Sequence, residues 1–208
     1  MESILIVNAQ IVNEGAVRAG DVRIKSGRIE QLGTQLSAKP TETVLDAAGK
    51  TLLPGMIDDQ VHFREPGLTH KGDLGSESRA AAAGGITSYM DMPNTQPATT
   101  TRALLAQKFA AATDRSFANY SFYLGATNDN LEEIKKIAPA SCCGIKVFMG
   151  ASTGNLLVDD PKALENIFSE AATLIATHCE DTPTILANET RARGVYGEDV
   201  PMSEHPNI

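Results

Sequence analysis

The sequence predicts an α/β protein. It reads as a (β/α)8 TIM-type barrel, of which about the first five units fall within 208 residues, preceded by a small β-sandwich-like module. Three observations lead there. Residues 1–50 are short alternating strands punctuated by glycine-bearing turns. From residue 51 onward, strand-like and helix-like runs alternate about five times, at the spacing of βαβ units in a parallel sheet. Finally His62, Arg64, Asn94, Lys146 and His178 all fall at the carboxyl ends of strand-like runs, where a barrel collects its active site. A doubly wound sheet would more often show a glycine-rich phosphate loop after its first strand, and "DQVHFREPG" is not one.

The elements follow in order. "ILIVNAQIV", "DVRIK" and "RIEQLG" alternate apolar and polar residues around Asn13-Glu14-Gly15 and Ser26-Gly27, which suits antiparallel hairpins. A polar, proline-containing connection leads to "TVLDAAGK" and closes the module near residue 50. The barrel, residues 51–208, then opens with "TLLPGMIDDQVHF" as a strand. "DLGSESRAAAA" is an alanine-rich helix stopped by Gly84-Gly85. Next come the strand "ITSYMDM", the helix "TTTRALLAQKFAAAT", the strand "ANYSFYLGAT" and the short helix "NLEEIKKIA". "CGIKVFMGA" is a strand, and Asp160-Pro161 starts the helix that follows it. "LIATHCED" is the last strand, and Asp181-Thr182-Pro183 caps a final helix. Ser152-Thr153-Gly154-Asn155 reads as a mobile loop over the site. A closed barrel needs eight units, so the chain is expected to be part of a longer protein.

Composition narrows the function. Apolar residues are 42% and charged residues 21%, an ordinary globular balance. Eighteen Lys+Arg against 26 Asp+Glu give a net charge of −8, which argues against nucleic acid as the main partner. No apolar run is long enough to span a bilayer, so no membrane partner and a cytoplasmic location are expected. Cys142, Cys143 and Cys179 form neither an even disulfide framework nor a C-x-x-C pair, and reduced, buried thiols are expected.

Four places carry chemistry. His62 follows an apolar strand two residues before Arg64; it is a metal ligand or a packed histidine. Lys146 interrupts the apolar strand "GIKVFMG". A buried ammonium is costly, so burial favours the neutral amine, which can add carbon dioxide to form a carbamate able to bridge two divalent metals. The alternative is a lysine that snorkels to the rim. His178 ends a strand with Glu180 close enough in sequence to orient its ring. Arg64 and Asn94 suit a substrate carboxylate, a guanidinium fork with an amide donor beside it, although Arg64 could equally serve a structural salt bridge. His70 and His205 lie in polar stretches and are expected to face solvent, and Asp159-Asp160 is explained by a turn and a helix cap.

Together these residues resemble the cyclic amidohydrolases, and within them the dihydroorotase family. "DDQVHFREPG" matches an Asp-x-His-x-His-x-Arg signature from Asp58 through Arg64 at every defined position but Gln60. "DMPNT" is similar to the segment supplying a substrate-binding Asn, "KVFMG" to the carbamylated-lysine strand, and "HCED" to the next metal-histidine strand. The resemblance covers nearly the whole chain. It implies reversible cyclisation of N-carbamoyl-L-aspartate to L-dihydroorotate in pyrimidine biosynthesis, by a metal-activated hydroxide. It implies one or two Zn2+ ions held by His62, a carbamylated Lys146 and His178, with Gln60 a doubtful ligand, and a substrate carboxylate on Arg64 and Asn94. It also implies a homo-oligomer, and it allows an association with aspartate transcarbamoylase.

Two departures from the pattern matter. Gln60 replaces the first metal histidine, and an amide oxygen is a poorer zinc ligand than imidazole. The last metal histidine and the general acid/base Asp are expected beyond Ile208, so no catalytic residue of that kind is assigned here. The 208 residues alone are therefore expected to lack turnover. The alternatives are a hydantoinase, dihydropyrimidinase or allantoinase-like hydrolase, which does not need Arg64 for a ring carboxylate, and an inactive pseudo-dihydroorotase scaffold.

Overall fold

Two-residue turns build the first unit, Met1–Gly55. Strands β1 (Ser3–Asn13) and β2 (Ala16–Lys25) pair antiparallel with Asn13 opposite Ala16, so only Glu14 and Gly15 form the loop. Both have positive φ, +50° and +73°, the conformation that matches the right-handed twist of the flanking strands. Ser26 and Gly27 repeat the device between β2 and β3 (Arg28–Gly33). The structure, a computed structural model, describes residues 3–150 and 155–207. Residues 152–154 of the expected loop therefore lie outside the described residues.

The first unit differs from expectation in two ways. Strands β4 (Thr43–Asp46) and β5 (Thr51–Leu52) both run parallel to β1, giving one mixed five-stranded sheet and not only hairpins. The sequence "TLLPGMIDDQV" is also two strands. Pro54 has no N–H and disfavours continuation, so Thr51–Leu52 stays in the first sheet and the boundary moves from residue 50 to Gly55/Met56. Polar stitches hold this unit. Buried Asp21 accepts the N–H groups of Asn8 (3.0 Å) and Leu36 (2.8 Å). Arg23, equally buried, donates through Nε to Glu42 (2.8 Å) and through its other nitrogens to Gln31 and the Ser37 carbonyl.

The second unit, Met56–Ile208, is a parallel sheet with the order β10-β9-β8-β7-β6. Its strands are β6 (Met56–Val61), β7 (Ile86–Asp91), β8 (Asn119–Gly125), β9 (Gly144–Phe148) and β10 (Ile175–His178). Helices α1 (Leu74–Ala83), α2 (Arg102–Ala112), α3 (Leu131–Ile134), α4 (Pro161–Glu170) and α5 (Thr182–Tyr196) alternate with them. The caps follow from the sequence: Asp73, Thr101, Asp160 and Asp181 each accept early helical N–H groups. Phe63, Tyr89, Leu105, Phe122, Leu124, Ile145, Val147 and Ile167 form the core. Each such side chain, fully buried, contributes about 1.5–3 kcal/mol. Among the described residues no helix is long and apolar enough to cross a membrane.

Hydrogen bonding in the first unit carries a pH dependence. The hydrogen bond from Arg23, followed by that from Ser3, pushes the Glu42 carboxyl from its ordinary 4.5 down to about 2. A depressed carboxyl stabilises the fold above its unfolded pKa, and that stability is lost as pH falls through the folded value. Replacing Glu42 by Gln is therefore expected to lower the urea midpoint of unfolding at neutral pH. The gap from the parent should close as pH falls from 4.5 to about 2; a gap independent of pH would contradict this.

Candidate active site

The carboxyl ends of β6 and β7 bring two of the singled-out residues into direct contact. His62 Nδ1 lies 2.7 Å from Asn94 Oδ1. With the amide oxygen accepting, Nδ1 carries the proton and the Nε2 lone pair stays open. Burial pushes the His62 pKa down; the Asn94 bond opposes this, the Arg64 charge adds to it, and weaker effects come from Asp91 and Lys146. The imidazole is therefore neutral at pH 7, the state a metal-ligating histidine needs.

The loops beyond these strands are clamped together. Gln96 N donates to Pro66 O at 3.0 Å, and Met92 N to Val61 O at 2.9 Å. Gly67, at φ +83°, passes so close to Gln96 that a Cβ there would stand 1.9 Å from its carbonyl oxygen. Within "FREPG" the two charged residues divide the work. Glu65 receives both terminal nitrogens of Arg115 (2.7 and 3.1 Å) and the N–H of Leu74 (2.9 Å), which fixes the loop to α1 and to the end of α2. Arg64 holds a positive φ of +69° and is half-buried; among the described residues no carboxylate pairs with it. The salt-bridge alternative for Arg64 thus has no partner among the described residues, and its guanidinium remains available to an anion.

The ends of β9 and β10 carry the other group. Ile145 and Val147 pack into the core with the helices, so by the two-residue period Lys146 and Phe148 face the opposite side of the sheet. Lys146 is 2% exposed, which excludes the snorkelling alternative. Burial lowers its pKa, opposed weakly by Cys179, and Nζ sits 4.8 Å from the Phe148 ring centroid. His178 is level with Phe148 in the parallel register and stacks on it, with centroids 6.1 Å apart. Its Nε2 meets Glu180 Oε1 at 3.0 Å, which leaves Nδ1 as the other ring nitrogen. Gly150 lets the next loop approach: a Cβ there would lie 2.2 Å from Glu180 Cβ.

Other residues stand apart. Gln60 is exposed, and only its backbone is held, N donating to Asp58 Oδ1 at 3.1 Å. His70 and His205 are exposed, and Asp160 is the α4 cap, as expected. Cys142 is buried, but Cys179 is exposed, a departure caused by its place just past the last residue of β10. Among the described residues no three His, Cys, Asp or Glu side chains converge. Sequence reasoning missed the Glu65–Arg115 pair and the two close-approach glycines; the Gly of "FREPG" was the available signal.

A half-barrel sheet with polar residues gathered at its carboxyl strand ends defines an α/β-barrel enzyme class, and the comparisons make this specific. Residues 49–183 match the family described as dihydro-orotase-like, and the chain belongs to that family. It is 33% identical over its whole length to a dihydroorotase of Methanosarcina acetivorans, covering 45% of that protein. It is 36% identical over 93% of its length to an allantoinase of Solibacter usitatus, covering 43% of it. Among solved structures it is similar to an L-hydantoinase (dihydropyrimidinase) from Arthrobacter aurescens, with TM-score 0.86, 30% identity, and coverage of 96% of this chain and 45% of that one. That protein and its relatives are TIM-barrel enzymes, in agreement with the barrel expected from the sequence. The chain spans just under half the length of these relatives.

The Gly67 contact is directly testable. Gly67→Ala meets both a backbone clash and a positive φ, and is expected to cost about 1–3 kcal/mol of stability. It should also expose the Gln96 amide to hydrogen exchange. Unchanged stability and protection would mean the two loops can part freely.

Proposed function

We propose that the protein is a cyclic amidohydrolase acting on a ring that carries a carboxylate, and specifically a dihydroorotase: L-dihydroorotate plus water to N-carbamoyl-L-aspartate, reversibly. The observation that carries this reading is the half-buried Arg64 guanidinium, unpaired among the described residues and two positions from the His62–Asn94 pair. A planar fork matches a carboxylate through two parallel, charge-assisted hydrogen bonds, whereas a neutral ring substrate offers it only carbonyl oxygens. Asn94 serves both sides: its Oδ1 holds His62, and its Nδ2 is a donor for the same carboxylate.

The metal expectation belongs to this proposal. His62 through Nε2, a carbamate on Lys146, and His178 through Nδ1 are the groups that would hold a divalent ion, zinc by the chemistry of its donors. When bound, such an ion supplies Lewis acidity toward the ring amide and makes water more acidic. The chain's own residues orient the ring by Arg64 and Asn94, keep His62 neutral, and through burial lower the Lys146 pKa. A homo-oligomer, a cytoplasmic location and an association with aspartate transcarbamoylase are further expectations of this reading.

A hydantoinase reading is favoured by the 0.86 TM-score to an L-hydantoinase. Turnover of L-dihydroorotate, hydantoin and allantoin by the intact protein separates the readings. Arg64→Ala is expected to abolish most turnover of the carboxylated ring, by about 10²-fold or more, because orientation is lost. If hydantoin is the better substrate and Arg64→Ala leaves it untouched, the dihydroorotase reading fails.

Gln60 gives a second test. Gln60→His is expected to raise bound zinc from one ion per chain toward two, measured by elemental analysis of the intact protein. No change would mean that Gln60 is either an adequate ligand as it stands or takes no part in metal binding.

A further inference from the structure

Lys108 is a charged residue in the middle of an alanine-rich helix, yet its side chain is 1% exposed. Its partner is the equally buried Asp91 at the end of β7, with Nζ 2.8 Å from Oδ2. A buried ion pair is weak evidence for stability, since well-packed apolar residues of equal volume often do as well or better. The pair therefore calls for another role, and its remaining bonds supply one. Asp91 Oδ1 accepts the N–H of Phe63 at 3.0 Å, and Lys108 Nζ donates to Met92 O at 2.8 Å. Met92 N in turn donates to Val61 O at 2.9 Å. Val61 and Phe63 are the two neighbours of His62, so both flanks of His62 are held by β7, and Asn94 holds its ring.

We propose that the Asp91 side chain, packed against Lys108, is a positioning device for His62: its Oδ1 accepts the Phe63 amide and thereby aims the imidazole at Asn94. Strand β6 needs such an anchor because its pairing with β7 slips between Asp58 and Val61 and resumes at Val61 opposite Asp91, the last pair of the ladder, so the residues that follow Val61 are held by side chains and loop bonds. Lys108 Nζ takes the Met92 carbonyl, and the Asp91 side chain serves as the acceptor for Phe63. Lys108, with Nζ 5.0 Å from the Phe122 ring centroid, holds the carboxylate from the helix side through its 2.8 Å contact with Oδ2.

The test compares the intact parent with two double variants, Asp91→Asn/Lys108→Met and Asp91→Leu/Lys108→Met. Both remove the charges and keep the volume; only the first keeps an acceptor for Phe63. In 15N-histidine NMR spectra of metal-free protein, the Nδ1–H signal of His62 should persist in the Asn variant and vanish in the Leu variant. The zinc arm rests on the proposed role of His62 as a ligand: affinity for zinc alone should stay near parental in the Asn variant and fall about 10–100-fold in the Leu variant. Equal behaviour of the two variants in both readouts overturns the proposal. If the parent binds no zinc, the metal reading fails while the NMR arm still decides the positioning. Should the Leu variant not fold, hydrogen exchange at Phe63 in the Asn variant decides: retained protection supports the device, and parent-to-variant loss of it overturns it.

Discussion

Strand β6 has to deliver His62 and Arg64 to one point although its ladder with β7 slips after Asp58 and ends at Val61, and the bonds that take over from there organise the site. Three contacts from Asp91, Met92 and Asn94 take hold of three consecutive residues, Phe63, Val61 and His62. Two are backbone-directed and one grips the ring, so the position of the imidazole follows from the position of β7. Removing one member of the ion pair behind them would leave a buried charge uncompensated, at a cost of about 3–5 kcal/mol. The clamp of Gly67 on Gln96 extends the same dependence outward to the loop that carries Arg64.

The candidate site has two halves, with β8 between them. On one side are His62, Asn94 and Arg64; on the other are Lys146, Phe148 and His178. Strand β8 ends at Gly125, level with Lys146 in the parallel register. A Cβ at Gly125 would come within 2.8 Å of Leu156 and 3.1 Å of Pro93. The middle strand thus adds no side chain at that level. Its last carbonyl is instead taken by Asn130, which also holds the Thr100 carbonyl at 2.9 Å and ties the β7 and β8 loops together. Rigidity in the centre and reactive groups on the flanks is what a site needs if its substrate is to lie between them.

Much of this was legible in the sequence, for reasons that are local. Turns such as Asn13-Glu14-Gly15 and caps such as Asp160-Pro161 depend on neighbouring residues only, so they could be read directly. The residues at the strand ends were legible because their side chains interrupt apolar runs. Contacts between distant segments were not. Lys108 in an alanine-rich helix has the pattern of a solvated surface lysine, and nothing within several residues announces Asp91 as its partner. Glu65 and Arg115 are 50 positions apart. The Thr51–Leu52 strand was hidden because apolar residues continue through Pro54 into β6, although the two pieces belong to different sheets.

Under the proposed reading, Gln60 unbalances the two halves. The β6 half offers the Nε2 of His62 as its one imidazole donor, because Nδ1 is committed to Asn94 and Gln60 brings only an amide. The β9–β10 half offers an amine whose burial favours carbamate formation and a histidine oriented by Glu180. An ion would bind first where anionic oxygen and imidazole are both present, on the Lys146 and His178 side. His62 would then act chiefly as the bridge between ion and substrate, since Asn94 joins it to the position where Arg64 holds a carboxylate. Loss of one metal histidine leaves that link intact, so a weakened metal half and a working substrate half can coexist in the same fold.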